Sequence, residues 1–261
     1  GGFEMKQREP AIRITTAELL GADEVVVDEG GQSLALTELG LPLSRFLLAG
    51  KYGGRSDENE RILIRVSDYF NDMTLVVGNY FAESLEIFEE INVEDPVVIV
   101  GKISLSTTQN QMSKRFYLEE IRKVSETEMK YFQALAVAFL KERIEKIAKV
   151  ISSGMRDRQE LSALMDSYRL GFGLSKRFEL KGSIDVEKFL NLVSSFTEKL
   201  SRKNRQIVLD EIKESKEISL EELVRRLASK MSRENIEEEL GNLLNDGELM
   251  EVRTGVYRYV P

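Results

Sequence analysis

The side chains of this 261-residue chain that could do chemistry are cations, rings and carboxylates, because it contains neither cysteine nor histidine. No thiolate nucleophile, disulfide, zinc ribbon or iron–sulfur centre can be built, and Ser-His catalysis and nearly all transition-metal sites are excluded as well. Among the cations, Arg61 and Arg65 stand out by their spacing. In "RILIRVSD" Ile62, Ile64 and Val66 share one side of an extended chain, while Arg61, Leu63, Arg65 and Ser67 share the other. Lys51 and Arg55 belong to a Gly-rich, charged stretch that runs on through "YGGRSDENE", and Lys114 and Arg115 close the polar stretch "STTQNQMSK". Two aromatic pairs, Tyr69-Phe70 and Tyr80-Phe81, bracket a short apolar run, with the turn signal Asn71-Asp72 just after the first. Rings held beside positive charge can stack on flat, anionic ligands, and a nucleobase stacked this way contributes about 1–3 kcal/mol. The competing use is structural: alternate arginines on a strand face solvent, and aromatic pairs at a corner fill a core. Tyr80 and Phe81, beside the Arg61/Arg65 face, are the better stacking candidates; Tyr69 and Phe70 are expected in the turn and core.

The carboxylates read as structural. Asp68 and Asp72 flank a hairpin turn, where Asp is favoured for local backbone hydrogen bonds, and Glu89 and Glu90 sit on an exposed helix face near Asp95. No catalytic residue, metal site or cofactor is expected, and the chain is expected not to be an enzyme.

The elements that must position these residues follow from hydrophobic period. Residues 1–41 are expected to be an N-terminal arm with one helical turn, opened by the capping box Thr15 to Glu18. From 42 to 125 the pattern is "RFLLAGK", a loop at "YGGRSDENE", "RILIRVSD", the "YFND" turn and "MTLVVG". A short helix at 82–91, "DPVVIVGKISL", a loop at "STTQNQMSK" and "RFYLEEIRKV" complete it. Three strands, a helix and two strands is the element order of an all-β OB-fold barrel, whose ligand surface is the face of its second and third strands with the loops joining strands one-two and four-five. The six cations above fall on that surface.

A capping box from Ser125 to Glu128 opens a long helix over 126–151. Phe132, Leu135, Phe139, Leu140, Ile144, Ile147 and Ile151 lie on an apolar stripe at spacings of three and four. The stripe outruns what a small barrel could cover and is expected to meet helices of other subunits, packing on the chain's own C-terminal half being the alternative. Residues 152–201 are read as a helical connector, with the Gly-rich, basic "GFGLSKRFELKGS" as a loop. From 202 to 261, three helices and a hairpin turning at Thr254-Gly255 have the order of an α+β winged helix. Its third helix carries Glu234, Glu237, Glu238 and Glu239 against Arg233, a surface that would repel phosphate and suits a protein partner. Arg225, Glu234, Glu238, Arg253 and Tyr257 are the candidate docking residues.

The net charge of −8 speaks against a strongly basic ligand footprint. It is uneven: residues 1–41 carry 3 basic and 8 acidic side chains, 42–125 carry 10 and 13, and 127–200 carry 13 and 10. Nucleic-acid binding by 42–125 is therefore expected to be moderate and salt-sensitive. No stretch has the length and apolarity of a membrane span, and no signal peptide is apparent. Met5 is expected to be the native start, with Gly1–Glu4 an appended scar.

The order of barrel, long apolar helix and winged helix resembles the middle-sized subunit of replication protein A, above all its archaeal form and the replication-protein-A-associated proteins. "REPAIRITTAELL" is similar to the N-terminal motif of that group, "IRVSDYFNDMTLVVGNYF" to its strand two–three region and "VVIVGKIS" to its strand-four signature. The likeness covers roughly 8–151 and 202–261; the connector has no counterpart. It implies a non-enzymatic subunit of a heterotrimeric single-stranded-DNA-binding complex in DNA replication, repair and recombination, in a cytoplasmic, nucleoid-associated setting. The large and small subunits would be its partners through the 126–151 helix, and replication and repair proteins would dock on the winged helix. "STTQNQMSK" departs from the pattern, having no aromatic where eukaryotic relatives stack one, which shifts weight towards scaffolding. A protein-binding assembly or telomere-capping adaptor with the same domain order and little DNA affinity is the alternative.

Overall fold

The computed structural model describes residues 9–78, 85–108, 111–164 and 169–261. These contain a six-stranded mixed sheet, two three-stranded sheets and seven α-helices, in two compact units that divide between Asn191 and Leu192.

The first unit opens with β1 (Ile12–Arg13) and the helical turn α1 (Thr16–Leu20). Thr15 caps α1 by accepting from the Glu18 amide at 3.4 Å, as the capping box predicts. Beyond it the expected arm is folded. β2 (Glu24–Val27), β3 (Ser33–Leu36) and β4 (Pro42–Leu43) form an antiparallel sheet, and Leu34, Leu36, Leu39, Leu41 and Leu43 are all buried. Alternation over two to four residues per strand is too short a signal to separate from a loop.

The long strands follow: β5 (Arg45–Glu58), β6 (Arg61–Ser67), β7 (Asp72–Val77), β8 (Pro96–Thr108) and β9 (Gln111–Lys123). β5 pairs with β6, β6 with β7, β7 with β9 in parallel, and β9 with β8. β8 pairs in turn with β5, so each of the five strands has two neighbours, and β1 adds to β5 in parallel. Two expected loops are strand instead. "YGGRSDE" continues β5 up to a two-residue turn at Asn59 and Glu60, both with left-handed φ (49° and 64°). "STTQNQMSK" is largely the facing ends of β8 and β9. Between β7 and β8 the structure describes a 3-10 turn at Leu85–Glu89 rather than a full helix; the remainder of the helix expected at 82–91 lies partly outside the described residues.

Helix α2 (Glu126–Ser153) starts at its expected cap, Ser125, and lies over β1, β5 and β8. Met129, Ala136, Val137, Leu140, Ile144, Ile147 and Val150 are buried within this one chain. The expectation that this stripe awaits partner subunits is therefore corrected for its central positions. Part of the missing cover comes from the folded N-terminal segment: Arg143 of α2, itself buried, is ion-paired to the buried Glu18 of α1.

The stretch expected as a loop is also helical. α3 (Arg158–Leu164) precedes α4 (Leu170–Lys181), which contains most of "GFGLSKRFELKGS". Its glycines mark close backbone approach. A Cβ on Gly171 would come within 2.6 Å of the Ser162 Cα, and one on Gly173 within 1.9 Å of the Gly40 carbonyl oxygen. Phe172, between them, packs on Val26, Leu34 and Leu36 of the small sheet.

Helix α5 (Glu187–Ser215) merges two expected helices into one, so the expected boundary at 201/202 falls inside a helix. In the second unit it is followed by β10 (Ile218–Ser219), α6 (Leu220–Leu227), α7 (Arg233–Asn245), β11 (Leu249–Arg253) and β12 (Val256–Tyr259). Ser219 and Ser232 cap α6 and α7. Val208, Ile212, Leu223, Ile236 and Leu243 are fully enclosed, and the hairpin turns at Gly255 (φ 70°), where the sequence places it. The three strands pair in the order β10-β12-β11.

Candidate nucleic-acid interface

β6 sets the centre of the surface. Its inward residues Ile64 and Val66 are buried, which forces Arg61, Leu63 and Arg65 outward, and both arginines are exposed. On β7, Thr74 stands opposite Arg65 and Val76 opposite Leu63. The pairing of β5 with β6 slips between Tyr52 and Arg55, where Gly53 and Gly54 (φ 99°) form a bulge. A Cβ on Gly53 would sit 3.0 Å from that of Arg65, so the glycine leaves room for the arginine stem. The result is a groove of about 230 Å³ lined by the bulge, Arg55, Ser56, Glu58, Leu63, Arg65 and Thr74.

The six expected cations divide evenly. Arg61, Arg65 and Arg115 are exposed, with no carboxylate partner among the described residues. The other three are occupied. Lys51, on β5 rather than in a loop, is ion-paired with Glu126. Arg55, also on β5, is held by both oxygens of Asp57, at 3.0 and 3.1 Å. Lys114, on β9, donates to the Leu20 carbonyl, and partial burial lowers its pKa. Tyr80 and Phe81 lie outside the described residues. Tyr69 and Phe70 meet edge to face at 5.2 Å and are half-buried, as expected of a turn-and-core pair.

Asp68 is spent on structure. It accepts from the Thr16 amide at 2.7 Å and the Thr16 hydroxyl at 2.5 Å, which pins α1, and from the Phe70 and Asn71 amides at 2.8 and 3.1 Å, which closes the β6–β7 turn. Burial raises its pKa, with these hydrogen bonds opposing. Among the described residues no group of three or more acidic side chains is placed to hold a metal ion.

Sequence reading passed over two outward residues. Val76 pairs with Tyr117 on β9, and Tyr117 pairs with Lys102 on β8. Tyr117 is half-exposed and Lys102 exposed, while the neighbouring Phe116 is buried. The alternation in "RFYLEE" carried that signal, but the cross-strand neighbours of Tyr117 depend on register.

On α2, Leu140, Ile144 and Ile147 are at most 1% exposed and are not available to a partner. Phe132, Leu135, Phe139 and Ile151 are half-buried; Phe132 packs on Ala49, Val98, Val124 and Met129, with Arg13 5.6 Å from its ring centre. Tyr131, beside Phe132, is 60% exposed. In the second unit Arg225 is bound to Glu222 at 2.6 and 2.8 Å, and hydrogen bonds from Arg225 and then Arg226 hold the Glu222 pKa down to about 2. Glu234, Glu238 and Arg253 are exposed, whereas Tyr257 is half-buried against the core. Glu239 is buried beside Ser201 rather than part of an acidic surface.

No protein-family model and no characterised protein matches the sequence. Solved structures give partial likenesses. A replication protein A heterotrimer bound to ssDNA is 15% identical, with a TM-score of 0.38 over 52% of this chain and 98% of that one. The Stn1–Ten1 complex of S. pombe is 11% identical, TM-score 0.39, over 54% of this chain and 98% of that one. The S. cerevisiae mitochondrial single-stranded-DNA-binding protein Rim1 is 11% identical, TM-score 0.25, over 31% of this chain and 92% of that one.

Proposed function

We propose that the chain is a non-enzymatic subunit of a single-stranded-DNA-binding complex of the replication protein A kind, with the β5–β9 ring as an OB-fold and the second unit as a winged helix. One observation carries the reading. Arg61 and Arg65 flank Leu63 on the outward face of β6, exposed and unpaired with any described carboxylate, and Arg65 lines a groove. Two positive charges on either side of an apolar residue suit a strand whose bases lie on the sheet and whose phosphates run beside it. The archaeal middle-subunit assignment rests on the quoted sequence motifs. In it, assembly with large and small subunits narrows to the open shoulder of α2: Tyr131, Phe132, Leu135, Phe139 and Ile151. The exposed Glu234 and Glu238 of α7, with Arg253, would face protein partners.

The test is fluorescence anisotropy of the full chain on an oligo-dT strand across a salt series. Wild type should bind and weaken as salt rises. Arg61→Glu with Arg65→Glu should cost at least about tenfold in affinity and flatten the logarithmic salt slope by roughly 1.4, at about 0.7 per lost phosphate contact on single strands. An unchanged affinity and slope would remove β6 from the contact. A second reading, a protein-binding or telomere-capping adaptor with little DNA affinity, is favoured by the engagement of Lys51, Arg55 and Lys114 within the fold. Under it, wild type shows no salt-sensitive binding while subunit co-purification persists.

A further inference from the structure

We infer that the bound strand does not stop at β6 and β7 but crosses onto β9, where Tyr117 stacks on a base and Lys102 and Arg115 take flanking phosphates. The inference rests on the single-stranded-DNA reading and extends it to Tyr117 and Lys102, which lie outside the expected face. Strand register places Leu63, Val76, Tyr117 and Lys102 in one lateral row across β6, β7, β9 and β8. At about 4.8 Å between strands, Tyr117 stands roughly 10 Å from Leu63 along the surface. Its ring is half-exposed, and its hydroxyl has no hydrogen-bond partner among the described residues. A tyrosine whose hydroxyl holds nothing in place and whose ring is partly open is suited to offer that ring to a ligand.

The local charge agrees. Lys102 is directly across from Tyr117, and Arg115 is two residues before it on the same side of β9; both are exposed, without a carboxylate partner among the described residues. The next outward residue on β9, Glu119, is held by Arg45 at 2.7 Å and does not oppose an approaching phosphate. Ser104, small and exposed, faces Arg115 and leaves the approach uncrowded. Two cations about a ring repeat the arrangement of Arg61 and Arg65 about Leu63, one barrel sector further on.

The experiment uses the full chain and oligo-dT anisotropy over the same salt series, with Arg61→Glu/Arg65→Glu as reference. Tyr117→Ala should weaken binding about five- to hundredfold, the span of a lost base stack, with little change in salt slope. Tyr117→Phe, which keeps the ring, should bind like wild type, and an unchanged urea midpoint for Tyr117→Ala separates lost stacking from a fault in folding. Lys102→Glu with Arg115→Glu should flatten the slope by roughly 1.4. If the Arg61/Arg65 variant loses affinity while the Tyr117 and Lys102/Arg115 variants do not, the path ends at β7 and the inference is wrong. If wild type does not bind, the reading on which it rests falls too. Binding lost equally in Tyr117→Ala and Tyr117→Phe would assign Tyr117 to the hydroxyl's chemistry instead and overturn stacking.

Discussion

Asp68 illustrates how a single residue can look catalytic and be structural. Two acids flanking a turn, Asp68 and Asp72, invite a metal reading, yet the oxygens of Asp68 are filled by two donors from Thr16 and two from the turn. Removing it in Asp68→Ala strands these donors, and a loss of about 1–3 kcal/mol in urea unfolding is expected. Its pH behaviour has a definite sign. The folded pKa is raised above 3.8, chiefly by burial, so the native state holds this proton more tightly than the unfolded chain. Stability from this group is fully present below 3.8 and falls as pH rises through the folded value. Wild-type stability should therefore decline relative to Asp68→Asn over that acidic range, in unfolding curves at successive pH values; a constant difference would contradict the assignment. The local role of Asp68 was legible from its place in a turn. Its partner Thr16 was not, since 52 residues separate them.

At the scale of elements, glycine carried the misreading. "GFGLSKRFELKGS" reads as a loop because it is Gly-rich, and glycine lowers helix propensity by about 1 kcal/mol relative to alanine. In α4 both glycines are contact points against other backbone. The two accounts predict opposite signs. Propensity alone makes Gly173→Ala stabilising; packing against the Gly40 carbonyl makes it destabilising by about 1–3 kcal/mol or more. Thermal unfolding decides between them, and a raised melting temperature would show that α4 does not sit where it is described. Charge supports the docking. Arg158, Arg169, Arg177, Lys181 and Lys188 pair with Glu29, Asp28, Asp23, Glu24 and Glu38. The acidic excess of the N-terminal segment and the basic excess of 127–200, each visible in the sequence, therefore meet partly within the first unit. Except for the pair made by the buried Arg177, these pairs are exposed and contribute little stability singly.

At the scale of the molecule, the first unit is more than five paired strands with a helix attached. The N-terminal segment supplies β1 to the edge of β5 and Glu18 to the buried Arg143. A chain begun at residue 42 should lose this cover, leave Arg143 as an uncompensated buried charge, and unfold at lower urea with a broader transition than the full chain. Breaking such a pair costs about 3–5 kcal/mol even when only Glu18 is changed to Ala. A truncated form as stable as the parent would restore the expectation of a free arm.

The sequence by itself determined what depends on near neighbours. Alternation fixed the outward arginines of β6, serine and threonine fixed the helix caps, and the Gly255 turn fixed the last hairpin. The missing histidine and cysteine excluded imidazole and thiolate chemistry from these residues. Only the tertiary structure decided what lies across from what. It assigned Lys51, Arg55 and Lys114 to partners within the fold, turned the central part of the α2 apolar stripe inward, and aligned Tyr117 with Val76 and Lys102. Those outcomes depend on strand register and on long-range burial, in which a shift of one residue moves every side chain to the opposite face.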